Sequence, residues 1–528
     1  MRMRTVPAIA LSLAAAAAAA CSGADPAVDA DLADVVEVVT PGKADDYASP
    51  TAQEYRLRGT GRIDLDGSWW NRSAAARRQR AEELLGYKLA AYSHFINLYL
   101  TDKPYGASNA DYGGFSCVVR RLTKDAALRS ADGAGMSWTF DWEIELGGPS
   151  DLLSSLPTER KPSGERFFVV QLPVLSEWEL EAGAFSISFE PASYGGALAE
   201  LEVSITPEAS SIDAYPNYPA LFADGKLEIA IIVGGDYYEA RYDLQGAEEL
   251  FDWLKGQGYQ HPASHYTQLT LGSPPFRGSL VADGRPIDVE ITLLHPEIVP
   301  DAHLDELGAA IIEAYQSMDV LLYSGHAGVD PTESGVAYHY NPRHAITAME
   351  LAELDLPTRY QLYIFHGCKT YSAYPDAVYT NDTKTPANLD VISAVSFGLM
   401  RMSTVTNTRF LEELLATQGG THDPRTYLEL LTTVNEGRNQ GVYYGVHGID
   451  DNAHLNPYAE LASLCDSCGA SSDCPGQGNS CVRLSGGKAC AAECTDDDAC
   501  PAGYACTPVG VRGEITSRQC LPSGLECH

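Results

Sequence analysis

Two side chains in this sequence have the type and the setting for nucleophilic chemistry, His326 and Cys368. Residues 318–328 (MDVLLYSGHAG) and 360–370 (YQLYIFHGCKT) each hold an apolar run that breaks at a glycine beside one of them. Short apolar runs bounded by glycine predict buried strands. An ionised thiol is a strong nucleophile. An imidazole can take the thiol proton, or hold it as an ion pair, and later give it to a leaving amine. Backbone N–H groups at the strand ends would stabilise the oxyanion formed on the way. Gly325, Gly328 and Gly367 suit tight turns that let a substrate backbone approach closely. The separation, 368 − 326 = 42 residues, leaves room for one hairpin or loop and one crossover helix, as expected of neighbouring strands.

The elements around these residues alternate. From 225 to 460 the pattern predicts strands at 227–233 (LEIAIIV, ending in Gly-Gly), 287–293, 320–323, 360–365 and 389–395. Helical spacing falls between them, at 244–254, 304–315, 347–354, 408–416 and 427–434. Such alternation implies an α/β domain with a mostly parallel sheet flanked by helices. In that architecture chemistry lies beyond the carboxyl ends of the strands, where His326 and Cys368 are expected. Residues 51–215 predict a separate α+β domain of unassigned role. It has a helix over 74–100 and strands at 137–146, 166–174, 184–190 and 200–206. The Pro- and Tyr-rich stretch 214–220 reads as a linker.

The chain opens with MRMR and an apolar stretch, residues 6–20, too short for a comfortable membrane span, so residues 1–20 read as an export signal. The signal ends in Ala-Ala-Ala-Cys, which resembles a bacterial lipobox and implies that Cys21 is lipid-modified; an ordinary cleavage site nearby is the alternative. Ser22 after the Cys resembles outer-membrane sorting. Residues 21–50 then read as a flexible tether. The expected location is the bacterial cell envelope, as an outer-membrane or cell-surface lipoprotein held only by its lipid.

Ten of the 13 cysteines fall in 465–528: Cys465, Cys468, Cys474, Cys481, Cys490, Cys494, Cys500, Cys506, Cys520 and Cys527. In an exported chain this predicts a disulfide-rich domain with up to five bridges of undetermined connectivity. An internal repeat, Cys468-x5-Cys474-Pro-x5-Cys481 echoed by Cys494-x5-Cys500-Pro-x4-Cys506, suggests two small stapled modules. Zinc is the rival for such spacing, but paired knuckles are lacking. In the body of the protein only Cys117 and Cys368 remain, and a bridge between them is open.

Tyr323-Ser324-Gly325-His326 resembles the YSGH motif of metacaspases and of the wider caspase, gingipain and clostripain group of cysteine peptidases. Phe365-His366-Gly367-Cys368 resembles that group's second motif, a strand running into a small residue and the nucleophilic Cys. The resemblance covers residues 225 to about 420. It implies a caspase-like fold, a His326–Cys368 dyad and endopeptidase activity on a peptide or protein substrate. The implied oxyanion donors are the N–H groups of Cys368 and of a residue beside His326, namely Ala327. Ala327 stands where the group usually has glycine. In the resembling groups an acidic pocket accepts Arg or Lys, while caspases use basic residues to accept Asp; an acidic pocket would be served by Asp376 and Asp382, with solvated loop residues as the alternative.

Other readings stay open. His326, His366 and Cys368, joined by His339 and His344, would suit a metal, although exported thiols seldom serve as lone ligands. No metal or cofactor is therefore expected, with Ca²⁺ dependence as the one exception the acidity suggests. The formal charge is −35, with 71 acidic against 36 basic residues, which excludes a nucleic-acid partner. No HExxH, Walker A, GxGxxG or GxSxG motif points to another enzyme class. The alternative to an enzyme is a catalytically inert, surface-anchored binding lipoprotein whose disulfide-rich tail docks to a partner.

Overall fold

The computed structural model describes residues 47–101, 118–122, 128–183, 189–327, 335–368, 370–396, 398, 400–435, 444–511 and 514–527. Cys21, Cys117 and most of the strand expected at 184–190 lie outside them.

A seven-stranded antiparallel sheet comes first, in the order β2-β4-β1-β7-β6-β5, with β3 beside β4. Its strands are β1 (Ala52–Asp64), β2 (Val118–Leu122), β3 (Arg129–Ser130), β4 (Ser137–Pro149), β5 (Glu159–Arg160), β6 (Arg166–Pro173) and β7 (Leu198–Pro207). The helix Ala74–Thr101 lays Leu84, Leu89, Tyr92, Phe95 and Ile96 on it, against Phe140, Trp142 and Phe168. The i, i+3, i+4 spacing gives that helix its single apolar stripe.

The second sheet has seven strands, in the order β18-β15-β14-β11-β8-β10-β9. They are β8 (Lys226–Val233), β9 (Phe276–Ala282), β10 (Arg285–Leu294), β11 (Val320–Ser324), β14 (Gln361–His366), β15 (Leu389–Ala394) and β18 (Tyr444–His447). The four inner pairings are parallel and the two outer ones antiparallel. Every residue of β11, β14 and β15 is buried, as a sheet covered on both faces requires. The helix Tyr242–Gly256 buries Ala247, Leu250, Phe251 and Leu254, and Leu304–Ser317 buries Leu307, Ile311, Ala314 and Tyr315. Two small hairpins stand outside the sheet: β12 (Gly335–Tyr340) with β13 (Arg343–Thr347), and β16 (Thr417–Gln418) with β17 (Thr421–His422).

Two expectations need correcting. Residues 214–220 are not a free linker: Ala214, Tyr215 and Tyr218 are buried in the core of the second sheet, because large rings bury more readily than they span. Residues 47–49, expected within a flexible tether, are docked on the second sheet instead. Tyr47 and Ala48 are buried, Ala48 bridges Val446 on β18, and Ser49 Oγ donates to the Tyr444 carbonyl at 2.6 Å.

A polar seam joins the two sheets. The Tyr371 hydroxyl, on the short helix Thr370–Ala373 just after β14, donates to Glu54 Oε1 at 2.5 Å and lies 3.3 Å from Glu145 Oε1. His447 Nε2 is 3.3 Å from the same Glu54 oxygen, and all four side chains are buried. Removing one partner from a buried set leaves the others under-satisfied. Tyr371→Phe should therefore lower unfolding stability by roughly 1–3 kcal/mol in urea titrations. An unchanged urea midpoint would show that this seam contributes nothing.

The tail holds a four-stranded sheet of β19 (Ser480–Leu484), β20 (Gly487–Glu493), β21 (Tyr504–Val511) and β22 (Glu514–Pro522). Its ten cysteines form five disulfides: 465–527, 468–481, 474–490, 494–506 and 500–520. Each repeat unit joins its first cysteine to its third and its second to its fourth. This density of bridges indicates an oxidising compartment. Among the described residues no helix is long and apolar enough to cross a membrane.

Candidate active site

Three neighbouring parallel strands end at one place. In register, Val233 of β8 pairs with Ser324 of β11, and Ser324 pairs with His366 of β14. The stitching continues past the strand ends: Gly234 N–H donates to the Ser324 carbonyl (2.7 Å) and Gly325 N–H to the His366 carbonyl (3.0 Å). His326 and Cys368 therefore each stand two residues beyond a matched pair. The loop after β8 adds Asp236, a residue the sequence analysis did not single out.

Asp236 and His326 are bonded, His326 Nε2 to Asp236 Oδ1 at 3.0 Å, with the carboxylate side chain 0 % exposed. Asp236 also accepts from the Tyr238 and Tyr242 N–H groups, both at 3.1 Å. Burial pushes this carboxyl up, but the His326 bond and those two N–H groups outweigh it and hold it below the usual carboxylate range. A carboxylate can only accept, so Nε2 carries the proton and the lone pair of the neutral ring sits on Nδ1.

The frame around the imidazole is dense. Tyr323 Oη donates to the His326 carbonyl (2.7 Å) and accepts from Ala337 N–H (3.0 Å), tying the β12–β13 hairpin to the loop. Gly235 N–H donates to the Ala337 carbonyl at 2.9 Å. Gly367 serves close approach rather than a left-handed turn: a Cβ there would stand 2.8 Å from the Gly325 carbonyl oxygen and 3.1 Å from the Ala327 side chain. The loops that carry His326 and Cys368 thus interlock, and Ala327 is buried between them.

Cys368 is disulfide-bonded and 2 % exposed. Its sulfur lies 3.5 Å from the Gly398 carbonyl oxygen, a contact only, since a bonded sulfur has no proton to donate. The partner is outside the described residues. The ten tail cysteines pair among themselves, which leaves Cys21 and Cys117 as the other cysteines of the chain.

The other candidates scatter. Asp382 lies at the wrong end of the sheet. Its neighbours Asn381 and Thr383 bond the carbonyls of Ala352, Leu354 and Leu356, and Lys384 bonds that of Arg359, all ahead of β14. A six-residue strand, about 20 Å, separates it from the loops of His326 and Cys368. Asp376 is half-buried on the short helix Pro375–Val378. His366 is buried and bonded through Nδ1 to the Tyr444 hydroxyl. His339 and His344 face each other across the β12–β13 hairpin. Among the described residues, the groups close enough to hold a metal are tail cysteines, all of them in disulfides.

No protein-family model, no curated protein and no solved structure matches this chain.

Proposed function

We propose that this chain is a caspase-like cysteine endopeptidase, exported and lipid-anchored through Cys21, that is latent while Cys368 is in a disulfide. The observation that carries the reading is the convergence of Asp236, His326 and Cys368 at the carboxyl ends of three adjacent parallel strands. In the reduced form, His326 Nδ1 would take the Cys368 proton. The thiolate would attack the scissile carbonyl, and the imidazolium would protonate the leaving amine. Water would then release the acyl group. Ala327 and Cys368 N–H groups would hold the oxyanion. The chemistry needs no cofactor.

A second reading is favoured by the same disulfide: a binding lipoprotein in which Cys368 is structural. Reduced full-length protein offered a peptide library separates the two. The peptidase reading expects cleavage that Cys368→Ala abolishes while the variant keeps its urea midpoint. No cleavage by the reduced wild type, or cleavage that survives Cys368→Ala, leaves the binding reading.

A further inference from the structure

The ring of Tyr237 lies on the imidazole of His326, centroids 4.4 Å apart and planes 24° from parallel. Tyr340, from the hairpin, meets the same imidazole edge-on at 5.1 Å, and Tyr238 stands at 6.0 Å. Tyr237 also touches the other two, Tyr238 at 4.4 Å and Tyr340 at 4.6 Å. Tyr237 Oη is 3.2 Å from Tyr238 Oη. Tyr237 is nevertheless 36 % exposed, so it is a poor core residue. Its burial goes into covering His326, whose side chain is only 11 % exposed. Asp236, directly preceding Tyr237, grips the edge of the same ring. Two consecutive residues therefore hold one imidazole, the carboxylate in its plane and the phenol on its face.

We propose that Tyr237 is a positioning residue for His326: stacking fixes the tilt of the imidazole that Asp236 alone leaves free to rock. One hydrogen bond at Nε2 sets the tautomer but permits rotation about the bond axis. A ring on the face removes that freedom. This inference rests on the proposed pairing of His326 with Cys368. Asp236, Tyr237, Tyr238 and Tyr340 lie against the His326 ring and Tyr323 bonds its carbonyl, so a change at Tyr237 alone leaves the charged partner Asp236 in place.

The test reads the thiol directly and does not need turnover. In reduced protein, the rate of Cys368 alkylation by iodoacetamide is followed against pH by peptide mass spectrometry. Tyr237→Ala should move the midpoint to higher pH by about half a unit, because an imidazole free to rock supports the thiolate less. Tyr237→Phe keeps the ring face and should restore the wild-type midpoint. Where peptide cleavage is measured, Tyr237→Ala should lower kcat with KM nearly constant. A midpoint that moves in His326→Gln but not in Tyr237→Ala overturns the inference and leaves the dyad standing. A midpoint indifferent to His326→Gln overturns both.

Discussion

Cys117→Ser should release the Cys368 thiol and raise peptide cleavage at least about 100-fold over the oxidised wild type, because a sulfur in a disulfide is not a nucleophile. Ten cysteines pair within the tail. A lipid-modified Cys21 would hold its sulfur as a thioether, which cannot enter a disulfide. On that reading Cys117 would be the partner of Cys368, which is what the variant tests. Strand β2, which begins at the next residue, packs beside the helix Thr370–Ala373 that follows Cys368. Treating the wild type with a small thiol should reach the same activity. Two equivalents of thiol become one disulfide of the reagent, and Cys368 and its partner become thiols. The variant is the cleaner experiment, since it leaves the five tail bridges untouched. Free thiol at residue 368 is counted by alkylation and peptide mapping, and cleavage by a fluorogenic library. A free thiol without cleavage ends the peptidase reading. If Cys368 stays bonded in Cys117→Ser, its partner is Cys21, and the lipid anchor goes instead. Either way the amino-terminal sheet has a definite relation to the site: its strand β2 and its carboxylates Glu54 and Glu145 all meet the short helix after Cys368.

What could be read from residues alone follows from what each signal reports. Continuous apolar runs such as 227–233 and 360–365 mark strands buried on both faces, and β8 and β14 appear there. Strand β1 was missed because its sequence, with Gly59 and Gly61 among charged residues, looks like a loop. The glycines are there for packing: a Cβ at Gly59 would stand 2.5 Å from Trp142, and one at Gly61 2.3 Å from Phe140. A large ring on β4 fills the space that each glycine on β1 leaves, which no single-strand pattern can express. The hairpin β12–β13 was missed for a similar reason. Its partner is the Gly234–Gly235 turn, which lies a hundred residues earlier in the chain. Asp236 had a readable signal. It follows Gly-Gly at the end of an apolar run, the same frame that singled out His326 and Cys368. One carboxylate among 71 acidic residues stands out only when that frame is applied to a third strand. The oxidation state of Cys368 was not legible, because a bridge depends on bonding geometry between segments distant in the chain, which residue types and spacing do not express.

On the peptidase reading, Asp236→Asn should lower kcat of the reduced protein by about 100- to 10,000-fold, as the loss of an orienting carboxylate does in other nucleophile–histidine sites. The carboxylate accepts three hydrogen bonds, from His326 Nε2 and from the N–H groups of Tyr238 and Tyr242. An asparagine has one oxygen that accepts and one nitrogen that only donates. Oδ1 in the native site takes both His326 and Tyr238, while Oδ2 takes Tyr242. If the amide nitrogen replaces Oδ2, it confronts the Tyr242 N–H, donor against donor. If it replaces Oδ1, it faces both Nε2 and the Tyr238 N–H. The imidazole must then accept at Nε2 and carry its proton on Nδ1, where it cannot receive one from the thiol. Either placement costs the site a bond, and the second disables the base. KM should change little, since Asp236 is fully buried and out of reach of substrate. A pH signature separates this role from plain packing. The folded carboxyl is held below its ordinary range. Its contribution to stability is therefore fully present above the unfolded carboxylate pKa and is lost as pH falls through the depressed folded value. Wild type should exceed Asp236→Asn in urea stability at pH 7, and the gap should close as the pH is taken down into the acid range. A gap that stays constant with pH would mean that the residue's charge is immaterial, and kcat equal to wild type would mean that His326 keeps its tautomer without it.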